Sequence, residues 1–173
     1  FHHYFLLAAG FLFFYWSNNY LITLLIFSIL LDFYVGKEIF KAKTISRKKI
    51  LLIFSLVGNL GLLGFFKYSD FAIAQFNILG NYVNFNDSIP FLNLALPIGI
   101  SFYTFQTISY TVDIYRGHLK PSNSLREFAI FVSFFPQIVA GPILRAKDFL
   151  PQLNEKMEKL KISKLRLITL EKT

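Results

Sequence analysis

The sequence predicts an all-α fold: a polytopic bundle of membrane helices with one re-entrant segment. Three observations carry this. Several windows of span length hold almost no charge. Lys and Arg gather in short stretches between those windows. One late apolar run, FFPQIVAGPILR at Phe134–Arg145, is broken by Pro136, Gly141 and Pro142. The composition agrees: 54% of residues are hydrophobic, 18% aromatic and only 16% charged, against about 25% charged in an ordinary globular domain. Mean hydropathy is +0.50.

The first element is Tyr4–Trp16, closed by an interfacial Tyr-Trp pair. Ser17-Asn18-Asn19 reads as a short turn, and Tyr20–Val35 as a second span. Asp32, near the end of that span, is expected to snorkel outward or to pair with Lys37. The following stretch, Gly36–Lys49, holds six Lys/Arg and one acid, the pattern of a cytoplasmic loop. Ile50–Phe66 is a third span, ended by a snorkelling Lys67. Its Gly58, Gly61 and Gly64 recur every three residues, which suits either a close helix neighbour or ordinary Gly enrichment in membrane helices. From Tyr68 to Leu96 there is no Lys or Arg, as expected on the far side. Phe71–Leu79 is too short to span and is expected at the interface.

A fourth span is expected over Phe91–Tyr115, delivering Arg116, His118, Lys120 and Arg126 to the basic side. At 100° per residue, Tyr103, Gln106, Thr107, Tyr110 and Asp113 share one face of it, opposite Phe105, Ile108 and Val112. Polar groups face lipid only at a cost, so the stripe points into the bundle. Two uses fit it equally: hydrogen bonding between helices, or the wall of a substrate path. Asp113 and Arg116 are expected to form a structural ion pair.

The broken run comes next, a re-entrant segment over Phe128–Leu144. Arg126 precedes it and Arg145 and Lys147 follow it, so both ends carry the charge of one side. Irregular backbone at membrane depth survives only where protein or a wet cavity satisfies it, which makes the break a mark of a cavity. A surface helix over residues 152–173 completes the pattern, with Leu153, Met157, Leu160 and Leu167 at helical spacing among Lys and Glu.

The net charge of +8 follows the loops rather than a solvated face, which argues against a nucleic-acid partner. There are no cysteines, which excludes disulfides, thiolate nucleophiles and Cys-bound zinc. His2, His3 and His118 have no third ligand within reach by sequence, so no metal site is assigned. Phosphate-cradling and nucleophile-elbow motifs are absent from the sequence.

Two strings, LPIGISFYTFQTISYTVDIYRG (Leu96–Gly117) and FVSFFPQIVAGPILRAKDFLPQL (Phe131–Leu153), closely resemble paired signatures of the membrane-bound O-acyltransferase family, nearest to its alginate O-acetyltransferase branch. The resemblance implies a bacterial cytoplasmic (inner) membrane enzyme with a tunnel joining a cytoplasmic donor side to an outer acceptor side. It implies that an acetyl or similar group passes from a thioester, acyl-CoA or an acyl carrier, to an exported polysaccharide or a relay partner, with no bound cofactor. Residues 1–173 would form the N-terminal part of one such domain. The family's catalytic histidine lies beyond the signatures, so no residue here takes that role and the piece alone is expected to be inactive. Candidate tunnel or substrate residues are Tyr103, Gln106, Thr107, Tyr110, Asp113, Arg116, Gln137, Gly141, Pro142 and Arg145. Gln106, Tyr110, Gln137 and Arg145 can donate hydrogen bonds. Arg145 also suits an anionic donor phosphate or a positive-inside anchor. A transporter or channel with a re-entrant pore segment is the alternative reading.

Overall fold

The computed structural model describes residues 2–82, 88–134, 136–137 and 145–153. Helix α1 covers His2–Asn18 and α2 covers Ile22–Lys41, joined by a 3-10 turn at Asn19–Leu21. Asn19 takes a left-handed φ of 51°, a conformation Asn tolerates better than most residues, and the chain reverses there. Leu7 and Phe11 consequently line one cavity with Ile26, Ile29 and Leu30. Of the expected Ser17-Asn18-Asn19 turn only Asn19 lies in the 3-10 turn, since Ser17 and Asn18 still belong to α1. Trp16 and Tyr20, beside the turn, are 90% and 71% exposed.

Helix α2 is central and contacts α3, α4 and α5. Its 20 residues give about 30 Å, the thickness of a hydrocarbon core. Only residues 42–44 separate it from α3. Glu38 meets both Lys41 (3.2 Å) and Arg47 (3.6 Å) across this corner, an exposed arrangement that adds little stability.

Helix α3 runs unbroken from Ile45 to Tyr82, 38 residues and about 57 Å. This corrects the division into a span at 50–66 and an interfacial piece at 71–79. Lys67 and Asp70 look like the end of a span, but no proline follows and the backbone ladder continues. Of the three glycines, only Gly58 meets a neighbour: a Cβ there would lie 2.8 Å from Leu31 Cδ2, whereas Gly61 and Gly64 have nothing within 4 Å. A three-residue repeat turns each successive glycine about 60° around the helix, so one line of contact reaches only one of them.

Residues 88–97 run along α3 without helix. Asn77 pairs both ways with the Ile89 backbone (2.8 and 2.9 Å). Asp70 accepts the N–H groups of Leu92 (2.8 Å) and Asn93 (3.1 Å). Asn18 holds the Ile98 backbone in the same two-way fashion (2.5 and 3.2 Å). Helix α4 begins only at Ile100 and ends at Tyr115, a correction to the 91–115 span. Pro90 and Pro97 lack N–H donors, Asn93 and Gly99 sit at φ 50° and 83°, and the described run before Ile100 is irregular chain closed by a turn at 98–99.

Helix α5, Leu125–Ser133, is nine residues long, too short to cross a bilayer. Ser124 caps it, accepting the Glu127 N–H. It runs antiparallel to α4: Tyr110 and Phe128 rings lie 4.3 Å apart, and Gln106 donates to the Phe131 carbonyl at 2.8 Å. The helix stops at Ser133, just ahead of Pro136, so the run from Phe128 is not one continuous rod. Residues 138–144, including Gly141 and Pro142, lie outside the described residues, as does nearly all of the surface helix expected at 152–173. Residues 146–153 are helical, and Phe149 packs 5.4 Å from both Phe131 and Phe134.

Candidate functional site

Helix α4 turns its polar face inward. Tyr103, Gln106, Thr107, Tyr110 and Asp113 are all buried, while Phe102 and Phe105 are exposed. The same inversion holds elsewhere: Ser28, Asp32, Ser55, Asn59, Thr104 and Thr111 are buried, and Phe5, Leu12, Phe54, Val57 and Phe65 are exposed. Polar inside and apolar outside is the arrangement of a helical membrane protein. Two helical stretches, His3–Lys41 (which contains the reversal) and Ile45–Gly80, are long and apolar enough to cross a membrane.

The inward residues of α4 divide between two clusters. The first joins α2, α3 and α4 around Asp32, which is fully buried. Its carboxylate accepts from Ser55, from Asn59 Nδ2 at 2.7 Å and from Thr111 Oγ1 at 3.0 Å. Asn59 also donates to the Ser55 carbonyl at 3.1 Å. Thr107 Oγ1 lies 3.1 Å from the Thr104 carbonyl and 3.5 Å from Asn59 Oδ1. Asp32 therefore neither snorkels nor pairs with Lys37, whose ammonium sits 4.1 Å over the Phe33 ring. The sequence does carry a signal for this cluster. Ser55 and Asn59 are one turn apart inside an apolar window, and so are Thr107 and Thr111; with Asp32 they form three inward polar points on three spans.

The second cluster lies between α4, α5 and α1. Gln106 is tied to α5 through Phe131, and Tyr110 Oη accepts the Ser122 N–H at 3.0 Å. Among the described residues three buried polar atoms have no hydrogen-bond partner: Tyr103 Oη in this cluster, Asp113 Oδ2 about 15 Å further along α4, and Gln137 Oε1 beyond the end of α5. Tyr103 stands edge-on to Phe14, ring centroids 6.2 Å apart. A Cβ on Gly10, one turn before Phe14, would come within 2.5 Å of the Ser133 carbonyl oxygen. These contacts set Tyr103 at the depth where α5 ends, close to the break that carries Gln137.

Asp113 and Arg116 do not form the expected ion pair. Arg116 is exposed, and the Asp113 backbone carbonyl accepts from His118 and Leu119 instead (2.9 and 3.3 Å). One helical turn holds the two residues, but the chain leaves the helix at Arg116 and turns the guanidinium to solvent. Arg145 is also exposed, at the start of the 146–153 helix. The structure thus gathers Tyr103, Gln106, Tyr110, Asp113 and Gln137 inside, sends Thr107 to the Asp32 cluster, and leaves Arg116 and Arg145 at the surface.

The class set by this geometry is a helical membrane protein with polar side chains buried within an apolar core. Its relatives are more particular. The chain is 33% identical to a peptidoglycan O-acetyltransferase of Helicobacter pylori, over 87% of this chain and 32% of that protein. It is 43% identical to a probable alginate O-acetylase AlgI of Pseudomonas aeruginosa, over 61% of this chain and 20% of the relative. The corresponding Azotobacter vinelandii protein is 38% identical over 75% of this chain and 26% of its own length. No family profile matches the chain, and no solved structure does. The likeness expected from the two signature strings is borne out: the chain is alginate O-acetylase-like. It spans about a third or less of the length of these relatives.

Proposed function

We propose that this chain forms part of a membrane O-acyltransferase of the bacterial inner membrane. It moves an acetyl or similar group from a cytoplasmic thioester, acyl-CoA or an acyl carrier, toward an exported polysaccharide or cell-wall polymer. The observation that carries the reading is the similarity across 87% of the chain to an O-acetyltransferase, joined by the alginate O-acetylases. Transfer forms a bond between an acceptor hydroxyl oxygen and the acyl carbon and breaks the C–S bond. The hydroxyl proton goes, through a general base, to the departing thiolate. Donors must also meet the carbonyl oxygen as it gains charge.

The inner end of α5 is the part of this chain suited to that work. The unpaired Tyr103 hydroxyl supplies a polar group there, Gln106 anchors the α5 backbone one turn along α4, and the buried Gln137 amide follows in the chain just beyond α5. Arg145, at the surface beyond the break, suits a phosphate of the donor. Among the described side chains no histidine is placed to act as base: His118 is exposed, and His3 lies at the start of α1, next to Tyr4 and Arg126 at the basic end. The base is therefore assigned to another part of the complete enzyme, and the 173-residue chain alone is expected to be inactive.

The test uses the complete protein encoded by the gene. Inside-out membrane vesicles given labelled acetyl-CoA should pass label to alkali-labile esters on the polymer. Deletion of the gene should abolish that ester acetate, and restoring it should bring it back. Unchanged ester acetate after deletion, with altered solute uptake instead, would favour a transporter and overturn the proposal.

A further inference from the structure

A cavity of about 340 Å³ opens between α1, α2 and α5, away from both polar clusters. Leu7 and Phe11 line it from α1, Ile26 and Ile29 from α2, and Ala129 from α5; Arg126 is the cation among its lining residues. The volume is at the lower end for small-molecule pockets and has room for on the order of ten water-sized groups. Water gains nothing there, because a buried water needs several polar partners and this lining offers almost none. In a membrane protein such a space is filled by hydrocarbon.

Arg126 adds a polar requirement. Its guanidinium rests over the Tyr4 ring, 4.3 Å from the centroid. Among the described residues no carboxylate pairs with it; the ion pairs join Glu38 to Lys41 and Arg47. It also stands at the end of the bundle where α2 and α4, running in the same direction, deliver Lys41 and Arg116. A basic end of this kind attracts anionic lipid headgroups. We propose that the cavity holds one acyl chain of an anionic phospholipid, with the lipid phosphate at Arg126. This assignment is independent of the acyl-transfer reading.

Native mass spectrometry and thermal unfolding of the complete protein in detergent test it, with phosphatidylglycerol, phosphatidylcholine of the same chains, and inorganic phosphate as probes. Phosphatidylglycerol should be retained and should raise the unfolding temperature more than phosphatidylcholine does. Arg126→Gln, at an exposed position, should cut the preference for phosphatidylglycerol about fivefold, the effect of one basic residue near an anionic surface. Ile26→Trp should weaken retention of both lipids by filling the space. Equal retention of the two lipids by the unaltered protein would overturn the proposal. So would phosphatidylglycerol binding indifferent to both substitutions, or stabilisation by phosphate alone equal to that by the lipid.

Discussion

The two polar clusters along α4 use similar side chains but differ in how fully their hydrogen bonds are met. Around Asp32 both carboxylate oxygens are engaged, by donors from α3 and α4, and the cluster is sealed. On the side facing α5, Tyr103 Oη near the end of α5, Asp113 Oδ2 in the last turn of α4, and Gln137 Oε1 are buried with no hydrogen-bond partner among the described residues. A satisfied buried network specifies how helices register. Buried polar atoms left unpaired cost free energy without any return within this chain. The contrast separates a part of α4 whose polar side chains join three helices from a part whose buried polar atoms have no partner among the described residues.

The sharpest way to break this contrast is to remove the carboxylate. Asp32→Ala strands donors on Ser55, Asn59 and Thr111, and three such bonds at about 1 kcal/mol each give a loss of about 3 kcal/mol. Thermal unfolding in detergent should show it as the largest single-residue effect in the bundle. Asp32→Asn should cost less, since the amide oxygen still accepts while its NH₂ opposes Asn59. If both variants unfold like the parent, the network does not hold α2, α3 and α4 in register.

Asp32 also shows what could be read from the sequence and what could not. Periodicity alone gives the inward face of α4, because 100° per residue is a local property and Phe105 and Tyr103 fall on opposite sides whatever surrounds them. The turn at Asn19 was legible for the same reason. Asp32 was not: its partners are 23, 27 and 79 residues away, and beside Lys37 a carboxylate near a span's end looks like a surface anchor. The length of α3 was hidden because Lys67 and Asp70 mark a change of solvent, and a helix does not stop where its solvent changes. The late start of α4 was written in Pro97 and Gly99, but the apolar run before them outweighed it. The unpaired atoms of Tyr103 and Gln137 depend on tertiary packing, which no local pattern encodes.

Next in size is the seam between α1 and α5, which carries the second cluster. Gly10→Ala would set a methyl group 2.5 Å from the Ser133 carbonyl oxygen, and backbone cannot swing aside as a side-chain tip can. The helices must separate, at about 2 kcal/mol, the middle of the range for overpacking. Gly61→Ala is the matched control: it meets nothing within 4 Å and should leave stability unchanged or raise it by up to about 1 kcal/mol through helix propensity. Equal unfolding temperatures for the two variants would remove the close α1–α5 approach on which the placement of Tyr103 depends.

The smallest expected effect on stability is the most telling about function. Tyr103→Phe removes a hydroxyl that has no partner and keeps the ring against Phe14, so the unfolding temperature should hold or rise slightly; a buried hydroxyl left unpaired costs about 1–3 kcal/mol. Were Tyr103 structural, activity would hold as well. If its hydroxyl meets the acyl carbonyl or the acceptor oxygen in the complete enzyme, kcat/KM for acetyl transfer should fall by at least about tenfold, the worth of one such hydrogen bond. A stable variant with reduced transfer joins the unpaired cluster to the chemistry, whereas a stable variant with full transfer severs them. Asp32→Asn runs the other way, losing stability first and activity only as a consequence of unfolding. The two substitutions together therefore separate the cluster that holds the helices from the unpaired hydroxyl that the proposed function assigns to transfer.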